Sequence, residues 1–200
     1  MGHDAAAGAA PESSDGRRAR GQRRRAEIIE ATLRVVQRDG AGGVTHRTVA
    51  REAGVPPSLT TYYFATLDDL LVAALSSVAE EYTTCLREIL DQGGDELTGL
   101  AELIACTATE GRRRALAERE LSTLAARRPA LRSVAHRWRD AVAEIAQRRN
   151  ADPVATESMV ATADGLCAAI LLDNQPADAR HIRAVLARSL GESDESTPHS

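Results

Sequence analysis

Residues 45–64 read THRTVAREAGVPPSLTTYYF. Thr45 has the side chain of a helix N-cap, and the spacing behind it predicts a short helix that ends at Gly54. A three-residue turn follows. Pro57 then sits at the first position of a second short helix, where a missing N–H costs nothing, and that helix runs to Tyr63. Two short helices joined by a tight, glycine-containing turn are the sequence form of a helix-turn-helix. Ala50 and Ala53 are small enough for the helices to cross closely, and Val49, Val55 and Phe64 are apolar pins beneath the turn. What remains outward is a ridge of Ser58, Leu59, Thr61, Tyr62 and Tyr63. Such a ridge fits phosphates, base edges and thymine methyls in a major groove. It also fits a small helical hairpin with a tyrosine-capped core, and the flanking residues decide between the two.

The flanks are basic. RRARGQRRR at 17–25 runs into a predicted helix at 22–39, whose stripe of Ile28, Ile29, Leu33 and Val36 stops at Gly40. Residues 17–64 carry ten Arg against four acids, a balance of +6, whereas residues 65–200 carry fifteen Arg against twenty-two acids, or −7. A basic module joined to an acidic one implies a polyanion partner for the first only. All 25 basic residues are Arg, so neither a P-loop lysine nor a Schiff-base lysine is available. GAGG at 40–43 follows no strand and completes no GxGxxG, so it reads as a loop. TLDD at 66–69 is a capping box that opens a long helix. Further helices are expected at 95–109, 112–127, 129–149, 153–173 and 177–190.

The expected fold is all-α, with about nine helices. A disordered tail with a basic arm occupies 1–21, a helix-turn-helix domain 22–65, a second helical domain 66–190 and a polar tail 191–200. Aromatics at 2% leave the core to Leu, Ala, Val and Ile, which suits packed helices. No apolar run approaches the ~18 residues needed to cross a bilayer, and the N-terminus lacks a signal-peptide core, so a cytoplasmic protein without a membrane partner is expected. Cys85, Cys106 and Cys167 are isolated and fit small buried hydrophobes; no metal and no cofactor is expected. HExxH, CxxC and GxSxG are absent, which leaves an enzyme without a nucleophile or metal set.

Residues 22–71, from the first helix through Thr45, AREAGV, TTYYF and TLDDLL, resemble the DNA-binding domain of TetR-family transcriptional regulators. The resemblance implies a homodimer on a palindromic operator of double-stranded DNA, released by a small-molecule effector. It puts Thr45, His46 and Arg47 where the first motif helix touches the backbone, and Pro57, Ser58, Leu59, Thr61, Tyr62 and Tyr63 on the recognition helix. Arg23 and Arg24 of the basic arm join them. Three positions depart from the family's pattern. Thr61 stands where a Tyr is usual, Tyr63 where a His is usual, and Leu67 where a phosphate-binding Lys is usual.

Between 66 and 149 a largely apolar effector pocket would be lined by Tyr82, Cys85, Ile89, Leu103, Thr107, Glu120, Leu124, Trp138 and Val142. Glu120 is an acid beside Leu116, Leu121 and Leu124; it either faces a ligand or pairs with an Arg such as Arg139. His136 lies off the stripe of its helix and is expected to face solvent. Met159, Ala163, Leu166 and Ile170, then Ile182, Val185 and Leu186, form apolar faces that read equally as core or as a dimer interface, and the resemblance favours the interface. A helix-turn-helix regulator with no small-molecule ligand is the rival reading.

Overall fold

The computed structural model describes residues 14–91, 93–150, 152–174 and 176–192. Among these there are nine α-helices and no strand: α1 (Ser14–Asp39), α2 (His46–Ala53), α3 (Pro57–Tyr63), α4 (Leu67–Asp91), α5 (Glu96–Cys106), α6 (Arg112–Leu124), α7 (Arg132–Arg149), α8 (Pro153–Asp173) and α9 (Ala179–Ser189). Local chemistry sets the helix ends. Thr45 and Thr48 form a reciprocal capping box at α2, and Thr66 and Asp69 do the same before α4. Gly54 closes α2 in the left-handed region at φ 66°, which a side chain would resist. α1 is the element the sequence placed worst. It begins at Ser14 rather than 22, so residues 14–21 of the expected tail are helical and Arg17, Arg18 and Arg20 continue the α1 rod. The expected disorder of residues 1–13 lies outside the described residues.

Two apolar clusters share α4. The first joins Ile28, Leu33 and Val36 of α1 to Val49 of α2, Phe64, and Leu70, Leu71 and Leu75 of α4. It does not stop at the helix-turn-helix: Ala117 and Leu121 of α6, with Leu131 and Val134, belong to it. The second joins Leu86 of α4 to α5, α7, α8 and α9 through Leu97, Leu100, Ile104, Ile145 and Met159. Asp95 fastens the far end, accepting from Arg149 at 3.1 Å, Arg183 at 2.6 Å and Thr98 at 2.7 Å. Glu192, assigned to the tail by sequence, takes two hydrogen bonds from Arg149 at 2.8 and 2.9 Å and so belongs to the fold; residues 193–200 lie outside the described residues.

Candidate functional site

The helix-turn-helix packs as one unit. Thr60 is buried and its hydroxyl donates to the Pro57 carbonyl at 2.8 Å and, across to α2, to the His46 carbonyl at 3.3 Å. Glu52 accepts from Arg34 at 2.8 Å and Arg38 at 2.7 Å, tying α2 to α1. Hydrogen bonds from Arg38 and then Arg34 hold the Glu52 carboxyl below the usual carboxylate range. Outward from this base stand Pro57, Ser58, Thr61 and Tyr62, with Leu59 and Tyr63 half-buried. Tyr62 is 79% exposed, and its ring meets Tyr63 edge-on at 5.1 Å. The Tyr63 hydroxyl lies beside Gly21 of α1. Thr45 and Arg47 are exposed; His46 is half-buried, its Nδ1 buried without a partner among the described residues. Arg24 is held by Glu27 at 2.7 Å, and Arg25 lies over the Phe64 ring at 5.0 Å, while Arg23 is exposed. The ridge and the basic helix therefore meet at one edge.

A cavity of about 380 Å³ opens between α4, α5, α6, α7 and α8. Tyr82, Leu103, Thr107 and Trp138 line it, as the sequence suggests. Tyr82 and Trp138 form an edge-to-face pair 5.7 Å apart, and the Trp138 indole N–H donates to Asp164 Oδ1 at 3.2 Å. Arg139 also binds the Asp164 carboxylate, and Arg119 Nη2 donates to the Asp164 carbonyl at 2.8 Å. Glu118 accepts from Ser122 at 2.5 Å. Burial raises the Glu118 carboxyl above its ordinary range, and Ser122 and Arg119 only partly offset this. Burial likewise pushes the Cys167 thiol up to about 12 and raises the Tyr82 phenol. The Tyr82 hydroxyl and Arg119 Nε are buried with no partner among the described residues.

Several expectations for this region change. Glu120 is not in the cavity: it is exposed on the opposite side of α6 and accepts the Ala41 N–H at 2.6 Å. Its proposed partner Arg139 belongs to Asp164. Cys85 and Ile89 line a separate groove with Glu88, Asp95 and Glu102. Leu124 packs on the first cluster, and Val142 is fully buried in the second. His136 is exposed, as expected, and also borders the cavity. The acids of the cavity are Glu118, two residues from the expected one, and Asp164. The same correction applies to the dimer set. Met159, Ala163, Ile182 and Leu186 are buried in their own chain, while Leu166, Ile170 and Val185 are half-buried. The open face of α8 is instead Val154 (73% exposed), Ala161, Gly165, Ala169 and Leu172 (83% exposed). α8 has a mean hydropathy of 1.4 over its most apolar stretch, of which only 28% is buried.

Comparison with known proteins agrees with this architecture. The family described as "Bacterial regulatory proteins, tetR family" matches residues 28–74, and "Tetracyclin repressor-like, C-terminal domain" matches residues 92–192. The helix-turn-helix transcriptional regulator PksA of Bacillus subtilis is 38% identical over 68 residues, or 34% of this chain and 33% of that protein. The chain thus spans about a third of that curated relative. Solved structures extend much further. The multidrug binding protein EbrR complexed with malachite green is 42% identical over 83% of this chain and 97% of that one, with a TM-score of 0.72; the ethidium complex is 41% identical over 83% and 98%, with a TM-score of 0.70. A TetR-family member from Streptomyces coelicolor A3 is 39% identical over 83% and 97%, also with a TM-score of 0.72. With its helix-turn-helix, its helical second half and these relatives, the chain belongs to the TetR family of transcriptional regulators.

Proposed function

We propose that this protein is a repressor that binds a palindromic operator as a homodimer and is released when a lipophilic cation enters the α4–α8 cavity. The observation that carries the reading is the double role of α6. Ala115, Glu118, Arg119 and Ser122 line the cavity, while Ala117 and Leu121 sit in the core of the helix-turn-helix half. Glu120 and Arg114 add polar links from α6 to Ala41 and to Glu30 and Glu81. A shift of α6 cannot leave α1 untouched, because packed interiors do not absorb displacement.

The DNA-facing set is Arg23, Arg47, Ser58, Leu59, Thr61, Tyr62 and Tyr63, with Thr45, His46 and Pro57 behind it. The cation assignment is supported by EbrR, whose complexes hold ethidium, malachite green and proflavin, aromatic cations all, and by Glu118 beside the Tyr82–Trp138 pair. The open apolar face of α8, from Val154 to Leu172, supports a second copy of this chain as its cover, forming a four-helix bundle with α9. Such a regulator works where the DNA is, in the cytoplasm.

The test uses a labelled fragment of the region upstream of the gene and tetraphenylphosphonium, a cation too globular to intercalate. Binding as a dimer, with operator anisotropy falling as the cation is added, is the expected result. Operator binding that no cation disturbs would leave a regulator without this class of effector.

A further inference from the structure

We propose that a cation entering the pocket displaces a proton from Glu118, so that the site exchanges one for the other and binds cations more tightly as pH rises. This rests on the reading that the effector is a cation. Most charges around the cavity already have partners. Asp164 on α8 is bound by Arg139 and by the Trp138 indole, both from α7. Arg119, next to Glu118 on α6, turns its guanidinium to the Asp164 carbonyl. Glu118 has one hydrogen bond, from the neutral Ser122 hydroxyl.

No other group in the walls supplies the missing positive charge to Glu118. α4 contributes Tyr82, whose phenol burial keeps protonated. α8 adds Cys167, whose buried thiol stays neutral, and Asp164, whose charge repels Glu118. α5 and the residue after it offer Leu103 and Thr107, which do not titrate. His136 and Arg132 of α7 also line the cavity and are exposed. The field of Arg119 favours the carboxylate, yet burial outweighs it. Without a cation the pocket therefore shifts Glu118 toward its acid form, since a desolvated carboxylate without a cation is costly.

A ligand with a permanent positive charge reverses that preference. Held against the Tyr82–Trp138 pair, it supplies the opposite charge that Glu118 lacks, in surroundings of low polarity. The carboxyl O–H bond breaks, the proton passes to the buffer, and no electrons change hands. A neutral ligand would release nothing.

Ethidium, whose charge does not depend on pH, is the probe, titrated into the full chain by calorimetry without DNA. Repeating the titration at pH 5, 6 and 7 in buffers of different ionisation enthalpy counts protons. Proton release of up to one per ethidium is expected, largest where Glu118 is still an acid in the free protein, with affinity rising by at most about tenfold per pH unit until Glu118 ionises unaided. Glu118→Gln, close in shape and unable to titrate, should bind ethidium more weakly, release no proton and show a flat pH profile; its melting curve checks that it is folded. Ethidium binding without proton release would overturn the exchange and leave the cation reading standing. Release that persists in Glu118→Gln would also overturn it. Failure of ethidium to bind at any pH between 6 and 9 would overturn the cation reading and the exchange with it.

Discussion

The two halves of the molecule treat their polar groups in opposite ways. In the helix-turn-helix half, caps and ion pairs use nearly every one: Thr45 with Thr48, Thr66 with Asp69, Thr60 with Pro57 and His46, and Glu52 with Arg34 and Arg38. Around the cavity the Tyr82 hydroxyl and Arg119 Nε are buried without partners among the described residues, and Glu118 is half-buried with a single hydroxyl as its partner, its carboxyl raised by burial. Unpaired buried polar groups cost stability. The first half is built to hold one shape against DNA, and the second accepts a cost that a ligand would recover. α6 belongs to both.

The largest effect should come from breaking the shared core. Leu121 is fully buried where α6 meets α1 and α4. Leu121→Ala should cost about 2–5 kcal/mol of unfolding free energy, measured by denaturant titration. If the halves were independent units, the loss would appear only in signals from one of them. The DNA face comes next. Replacing Arg17, Arg18 and Arg23 by Gln should weaken binding to all sequences alike and reduce the slope of log K against log salt by about 0.9 for each phosphate that is no longer neutralised. An unchanged slope would take the helical extension of α1 out of the interface.

Glu120 tests the link between the halves. Its carboxylate holds the Ala41 N–H beside Gly40, which sits at φ 74°. Glu120→Ala should leave effector affinity in the absence of DNA nearly unchanged but shrink the effector's influence on operator binding. Coupling energies of this kind run to about 1–3 kcal/mol, and the readout is the ratio of operator affinities with and without tetraphenylphosphonium. An undiminished ratio would assign the coupling to the apolar packing of Ala117 and Leu121 alone.

The two glutamates of α6 also show where sequence reading stopped. Helix boundaries were legible because their causes are local: Thr45, Gly54, Pro57 and the Thr66–Asp69 box act within a few residues. The start of α1 was not. Arg17–Arg25 has no apolar stripe, although Arg is a good helix former and can prolong a helix already nucleated by the stripe at Ile28. The direction each face of α6 takes depends on tertiary packing. Leu121 and Leu124 point toward an apolar core, but that core belongs to the helix-turn-helix half, so the side carrying Glu118 meets the cavity. Met159, Ala163, Ile182 and Leu186 failed for the same reason. An apolar stripe says that something covers it, and only the fold says whether the cover is the same chain.

The smallest effect is also the sharpest test of the contrast, because two carboxylates should titrate in opposite senses. Glu52 is held below the usual carboxylate range by Arg38 and Arg34, so its contribution is present above the unfolded value of about 4.3 and is lost as pH falls through the folded one. Glu118 is raised by burial. Between about 4.3 and its folded value the native chain binds more protons than the unfolded chain, so stability falls as pH rises through that window. Glutamine does not titrate. Glu52→Gln should therefore be destabilising at neutral pH, with the deficit closing in acid. Glu118→Gln should be stabilising at neutral pH, within the ~0.5–2 kcal/mol typical of stabilising substitutions. Its advantage should be smallest near pH 4, grow with pH, and level off once Glu118 ionises in the native state. Thermal melts of both variants from pH 4 to 9 measure the two curves. A Glu118→Gln advantage that did not change with pH would mean that Glu118 is not held as an acid in the empty pocket, and the contrast between the two halves would lose its clearest case.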